Sequence, residues 1–198
     1  MTAVDQLPPD INSLREAILS GDPSLAMPAL VRLRDIPDEQ AVPLLLLALK
    51  DSTFLVRSLG CAGLGVKRNE AGWEALVEAL QRDGDANVRA EAANSLVNYG
   101  VERAWPLLKA SFAADDQWLV RCSILSALAE QAEMPSEWLL ELAQMAIVDT
   151  DGTVRTGGAE ILGRLLGDKV EAARPILVSL QADPDHRVTA AALNGLQM

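Results

Sequence analysis

Apolar residues recur along this chain at helical spacing, and the same arrangement returns every 31 to 34 residues. Six apolar anchors open the pattern, the middle four of them followed by arginine: Leu25, Val56, Val88, Val120, Val154 and Val188. Eight positions after each anchor stands a leucine: Leu33, Leu64, Leu96, Leu128, Leu162 and Leu196. The fourth position is usually small: Ala29, Gly60, Ala92, Ile124, Gly158 and Ala192. Positions 0, +4 and +8 share one face of a helix, so each set predicts a helix with a buried stripe.

Each predicted helix is preceded by a residue that can cap it and by a second apolar segment. The capping residues are Asp22, Thr53, Asp85, Asp116, Asp151 and Asp185. A side-chain oxygen at such a position can accept the free backbone N–H groups of the first helical turn. The upstream segments predict a first helix at residues 11–19, 41–49, 70–81, 103–113, 136–148 and 171–181. The unit of this chain is therefore a helix, a turn and a second helix.

Such helix pairs must stack side by side, because neither helix can bury its apolar face alone. We predict an all-α fold, a right-handed α-solenoid of about six short repeats. The repeats fall at about residues 11–38, 39–69, 70–102, 103–135, 136–169 and 170–198. In this interpretation residues 11–198 form a single domain, and residues 1–10 form a flexible N-terminal arm.

Charge and residue content narrow the function classes. The chain carries 28 acidic and 17 basic side chains, a formal net charge of -11, so it would repel a phosphate backbone and we expect no nucleic-acid partner. The cysteines, Cys61 and Cys122, form no CxxC pair, and His186 is the single histidine, so we expect no metal site. Arg121 could lower the pKa of the neighbouring Cys122 thiol. No acid, base and nucleophile are grouped in the pattern, so we assign no catalytic residue and favour a binding protein over an enzyme.

The sequence also bears on location. The N-terminal stretch MTAVDQLPPD has neither a basic leader nor an apolar core, which does not fit a signal peptide. The longest apolar run, AVPLLLLAL, is far shorter than the roughly 20 residues needed to cross a bilayer. We therefore expect no membrane span and a cytoplasmic protein.

One segment carries a family resemblance. Residues 41–65, AVPLLLLALKDSTFLVRSLGCAGLG, combine an early proline, a leucine run, a capping turn and a Val-Arg pair. This resembles the short HEAT-like repeats of phycobilin lyases and of related phycobilisome-associated proteins, over about residues 11–198. The resemblance implies a solenoid with a protein partner, either a phycobiliprotein or a second HEAT-like subunit.

The resemblance leaves two functions open. The first is a non-catalytic scaffold or adaptor that acts on phycobiliproteins or another photosynthetic complex, in assembly or turnover, without a cofactor. The alternative is a subunit of a phycobilin lyase, which attaches or detaches an open-chain tetrapyrrole and would bind a bilin. Arg164, Trp118 and Tyr99 are the residues that could hold such a pigment.

The arginines after four of the anchors suggest a structural role, because a catalytic residue has no reason to recur in every repeat. We expect each guanidinium to bind a capping aspartate, or a backbone carbonyl of an adjacent repeat. A row of anion-binding sites is the functional alternative.

Helix geometry also indicates which residues a partner would meet. Positions three, six and ten residues after each anchor lie opposite the buried stripe, on the expected concave face. In the middle repeats this face is polar and acidic, and we predict that it binds a protein segment through Glu91, Asn94, Asn98, Ser123, Ser126, Glu130, Glu160, Arg164 and Asn194. Near the N-terminal end it is apolar, with Leu59, Ala62 and Val66. A merely solvated face is the alternative.

Two further surfaces are candidates for contact. Apolar pairs directly precede two of the anchors and suggest a docking rim: Phe54, Leu55, Trp118 and Leu119. The last helix carries no polar cap, which predicts docking to a partner, or a homodimer, through the C-terminal repeat.

Overall fold

The computed structural model describes residues 10–197, and over that range the chain forms α-helices, 3-10 turns and loops without a strand. The predicted arm, residues 1–10, lies outside the described residues except for Asp10. By its internal contacts the chain divides into two compact units, Met1–Tyr99 and Gly100–Met198. The all-α prediction is confirmed, and the single domain stays a prediction.

The first unit contains three helix pairs. Its helices are α1 (Ile11–Leu19), α2 (Pro23–Arg32), α3 (Asp38–Ala48), α4 (Phe54–Val66), α5 (Glu70–Arg82) and α6 (Ala86–Leu96). Short 3-10 turns at Leu33–Asp35 and Val97–Tyr99 extend α2 and α6. The second helices pack in sequence, α2 on α4 and α4 on α6, while α1 packs on α3 and α3 on α5. This layering is the solenoid arrangement that the repeat predicts.

The second unit repeats this arrangement. Its helices are α7 (Val101–Ala114), α8 (Trp118–Ala129), α9 (Ser136–Ala146), α10 (Gly152–Gly167), α11 (Ala173–Leu180) and α12 (His186–Leu196). Here α8 packs on α10 and α10 on α12. On the first helices, the indole of Trp105 in α7 stacks on that of Trp138 in α9, with 5.5 Å between ring centroids and 3° between planes.

The predicted buried stripes form the core. Val88, Ala92 and Leu96 of α6 are all fully buried. Small residues at the fourth position do allow close packing, since a Cβ added to Gly60 would lie 3.2 Å from both the Ala48 methyl and the Leu45 carbonyl oxygen. The contact of α10 with α12 is closer still, because a Cβ on Gly163 would come within 2.8 Å of the Gly195 Cα.

Three details of the sequence interpretation are wrong. Thr53 occupies the N-cap position of α4, but its side chain makes no capping hydrogen bond. In the first repeat Ala26 takes the buried place with no exposed surface, and Leu25 is 53% exposed. Ala26, Ala29 and Leu33 are spaced 0, +3 and +7, which is as helical as 0, +4 and +8, so the pattern alone did not distinguish the two registers. Asp116 is not a cap, because α8 begins after Gln117, whose side chain makes no capping hydrogen bond.

Candidate protein-binding face

Arg57 joins two consecutive turns of the first unit. Its Nε and Nη2 donate to the two carboxylate oxygens of Asp83 at 2.8 and 2.9 Å. Its Nη1 donates to the backbone carbonyls of Asp51 and Ser52 at 3.0 and 3.1 Å. Asp83 follows α5 in the next repeat and also accepts the Asp85 amide at 2.9 Å. One guanidinium thus fixes its own turn and the following one.

Two equivalent arginines bind a carboxylate of the next repeat in the same way, and Arg89 binds a backbone carbonyl of its own turn. In the second unit, Arg121 donates to both carboxylate oxygens of Asp149 at 2.6 and 2.8 Å, and Arg155 donates to both of Asp183 at 2.9 Å. In the first unit, Arg89 donates to the Asp83 carbonyl at 2.9 Å. We call Arg57, Arg89, Arg121 and Arg155 with these partners the arginine ladder.

The ladder is structural, with two corrections to its expected geometry. The backbone carbonyls that accept from the arginines lie in the arginine's own repeat, not in an adjacent one. The aspartates that accept the arginines lie two residues before the helix caps: Asp83 before Asp85, for example, and Asp183 before Asp185. The hydrogen bond from Arg155 lowers the pKa of Asp183 below its ordinary value. The spacing Asp-x-Asp before α6, α10 and α12 was the sequence signal for these acceptors.

The two thiols are not activated. Burial raises the pKa of Cys61, which is fully buried, to about 12. Burial and the carboxylates of Asp151 and Asp149 raise the pKa of the half-buried Cys122 to about 11, although Arg121 acts in the opposite direction. A thiolate nucleophile at neutral pH therefore has no support at either position.

The predicted binding residues of the first unit lie on what we call its second-helix face, the outward side of α2, α4, α6 and their 3-10 turns. Asn94 on α6 and Asn98 in the following turn are exposed, and Glu91 is half-buried. Burial raises the pKa of Glu91, and side-chain hydrogen bonds to Ser95 and Asn94 partly offset this effect. The structure thus brings Glu91 and Asn94 together, with Glu91 held by its neighbours.

In the second unit the corresponding face is formed by α8, α10 and α12. Exposed residues there are Ser126, Glu130, Glu160, Arg164 and Asn194, and Ser123 is half-buried. Three of them, Ser126, Glu160 and Arg164, line a cavity of about 290 Å³ between α8 and α10. Arg164 Nη1 donates to the Ala129 carbonyl at 2.6 Å, which fixes its side chain across this cavity. That these residues bind a partner stays a prediction.

The residues of the predicted rim occupy the first turns of α4 and α8. Leu55 and Trp118 are 44% and 47% exposed, whereas Phe54 and Leu119 are half-buried. The two pairs belong to different units. In the last repeat Val178 and Leu193 are 54% and 43% exposed, and a homodimer through this repeat stays a prediction.

Within residues 10–197, no three His, Cys, Asp or Glu side chains are grouped so that they could hold a metal ion. In the same range, no helix has the length and apolar character needed to cross a membrane.

Comparison with known proteins supports the repeat interpretation. Residues 42–129 match the model of a family described as HEAT repeats. Over residues 42–129 the chain is therefore similar to HEAT repeats. The sequence matches no curated protein.

Solved structures are similar to this chain at low sequence identity. An engineered protein is 20% identical over 96% of each chain, with a TM-score of 0.56. Human deoxyhypusine hydroxylase, in complex with glycerol, is 17% identical over 95% of this chain and 85% of that chain, with a TM-score of 0.51. The complex of CpcE and CpcF of phycocyanin lyase from Nostoc sp. is 21% identical over 93% of this chain and 96% of that chain, with a TM-score of 0.41. Similarity at these identities concerns the fold alone.

Proposed function

We propose that this chain is a non-catalytic protein-binding scaffold that contacts its partner through the second-helix faces of its HEAT-like repeats. The observation that carries the proposal is that recurring residues and variable residues lie in different places. Residues that recur from repeat to repeat are used inside the protein, in the buried stripes and in the arginine ladder. Outward positions on the second helices are exposed and differ between repeats, as Asn94, Ser126 and Glu160 show. Solenoids typically bind partners through such extended, variable surfaces.

The partner that we propose is a phycobiliprotein or another photosynthetic component, which the chain would help to assemble or turn over. This choice rests on the resemblance of residues 41–65 to the repeats of phycobilisome-associated proteins. The lyase alternative has less support, because Tyr99, one of its three candidate pigment residues, is already engaged. The Tyr99 hydroxyl donates to the Leu64 carbonyl at 2.8 Å, and its ring contacts that of Trp73.

The test uses purified phycocyanin and allophycocyanin, with binding to the immobilised chain measured by biolayer interferometry. The double variant Asn94→Arg, Asn98→Arg changes two exposed residues of the second-helix face. Ala71→Arg, Gln81→Arg adds the same charge on exposed positions of α5 and is the matched control. We expect the first variant to weaken binding about tenfold or more, as at other interface centres, and the control to bind like the unmodified chain.

Three outcomes would count against the proposal. Equal binding by both variants would show that the second-helix face of the first unit is not the interface. Absence of binding by the unmodified chain would remove the phycobiliprotein as partner. A covalent coloured adduct, formed when the chain is mixed with phycocyanobilin and an apo-phycobiliprotein subunit, would replace the scaffold by the lyase subunit.

A further inference from the structure

An apolar groove lies between α2 and α4 on the second-helix face of the first unit. It encloses about 310 Å³ and is lined by Val31, Leu59, Ala62 and Val66, among other apolar residues. Val31 is 63% exposed and Val66 is 57% exposed, so both retain much of their apolar surface in contact with water. This volume is at the lower end of the range for ligand pockets, which is about 300 to 1,000 Å³.

Two cationic side chains line the same groove, and only one of them, Lys67, is bound to other residues of the chain. The Lys67 ammonium donates to the Ile36 carbonyl at 2.7 Å and pairs with Asp38 at 3.1 Å. The exposed side chain of Arg34 has no hydrogen bond or ion pair among residues 10–197. Arg34 is therefore the cation of this groove that is available to an occupant.

The charge of the groove identifies the chemistry of its occupant. The chain has a formal net charge of -11, so a carboxylate is repelled by most of the surface but attracted at Arg34. An occupant that places an apolar side chain on Val31 and Val66, with a carboxylate beside it, would match both features of the groove. The acidic surroundings would then disfavour other positions for the same segment, which gives specificity.

We propose that this groove binds a partner protein segment in which an aspartate or glutamate directly adjoins a large apolar residue. The apolar side chain occupies the space between α2 and α4, and the carboxylate pairs with Arg34. The inference rests on the proposed scaffold function and specifies the partner for the apolar part of the same face. The polar part, with Asn94 and Asn98, would contact the continuation of that segment.

Blocked tetrapeptides titrated into the ¹⁵N-labelled full chain test the inference by NMR. The probes are acetyl-Gly-Leu-Asp-Gly-amide, the same peptide with Lys for Asp, and the same peptide with Ser for Leu. We expect the Leu-Asp peptide to shift the amide signals of Ala62, Gly63 and Val66, and to bind about fivefold more tightly than the Leu-Lys peptide, as a partly exposed ion pair allows. The Ser-Asp peptide should cause no saturable shift.

Variants separate the apolar and charged contributions. Arg34→Glu should reverse the preference, so that the Leu-Lys peptide binds more tightly than the Leu-Asp peptide. Val66→Glu should abolish the shifts. Val148→Glu is the matched control, since Val148 is 77% exposed and lies in the second unit, and it should leave the titration unchanged.

Several results would overturn the inference. The first two are equal binding of the Leu-Asp and Leu-Lys peptides, and amide shifts confined to residues outside the groove. The third is the absence of a saturable shift with any peptide. The fourth is hexanoate binding as tightly as the Leu-Asp peptide, which would make the groove a small-molecule site. The two proposals can also fail separately. If the chain binds the peptide but no phycobiliprotein, only the proposed partner is wrong. If Val66→Glu leaves phycobiliprotein binding unchanged, only the groove inference is wrong.

Discussion

Replacing Arg121 with methionine removes one member of the most buried ion pair in the arginine ladder. The side chains of Arg121 and Asp149 are 10% and 8% exposed, and both carboxylate oxygens accept from the guanidinium. Methionine keeps much of the apolar stem but leaves the Asp149 carboxylate buried without a counter-charge. Removing one partner from a buried pair usually costs about 3 to 5 kcal/mol. The Asp151 amide still donates to Asp149 at 2.8 Å, so we expect a loss near the lower end, about 3 kcal/mol.

A double-mutant cycle with Asp149→Ala separates the unpaired charge from the lost hydrogen bonds. Each single variant leaves a buried group without its partner, whereas the double variant leaves neither charge behind. We therefore expect the double variant to lose less than the sum of the singles, with a coupling free energy of about 2 kcal/mol.

The assay is urea unfolding at pH 7, followed by far-UV circular dichroism. Arg187→Met is the control, because Arg187 pairs with Asp185 at 2.7 Å through a side chain that is 52% exposed. We expect this control to shift the unfolding midpoint by only a small fraction of the Arg121→Met effect. Equal midpoints for the two arginine variants, or a double variant whose loss equals the sum of the singles, would refute the structural role of the ladder.

Three further predictions concern packing and charge. Gly163→Ala should destabilise the chain in thermal unfolding, because its Cβ would meet backbone at 2.8 Å, whereas Gly157→Ala on the same helix meets only a side-chain methyl at 3.4 Å and should stabilise by up to about 1 kcal/mol. In urea unfolding, Leu96→Ala should cost about 2 to 5 kcal/mol as a core cavity, and Asn94→Ala close to nothing. Since burial raises the pKa of Glu91, stability is lost as pH rises through that pKa. Glu91→Gln should therefore raise the melting temperature at pH 8 and change it little at pH 4.

Local patterns in the sequence predicted what each repeat does for itself. The caps of α2, α6, α10 and α12 are confirmed, because Asp22, Asp85, Asp151 and Asp185 each accept a backbone amide of their own helix. The outward placement of Asn94 also followed from helix geometry alone. Both features depend on contacts within a few residues, which a sequence displays directly.

Contacts between repeats were harder to predict. Three of the arginines bind Asp83, Asp149 and Asp183, which lie 26 to 28 residues further along the chain. Which aspartate an arginine binds depends on the spacing between consecutive helix pairs. The α4 side of the groove, with Leu59, Ala62 and Val66, followed from helix geometry, but the α2 side, with Val31 and Arg34, was missed because it requires α2 and α4 to be seen together. Exposure identifies which residues are accessible on the candidate face, but binding depends on a partner whose surface the sequence does not contain.

The arginine ladder has a consequence for how such a chain can change its length in evolution. The repeat at residues 136–169 contributes Asp149 as acceptor for the arginine of the repeat before it, and Arg155 as donor to the aspartate of the repeat after it. A duplicated copy of a repeat of this kind therefore brings both halves of a new pair, and its deletion removes both. Gene duplication can add or remove repeats in this way without leaving a buried charge unmatched, while each copy is free to acquire different outward residues.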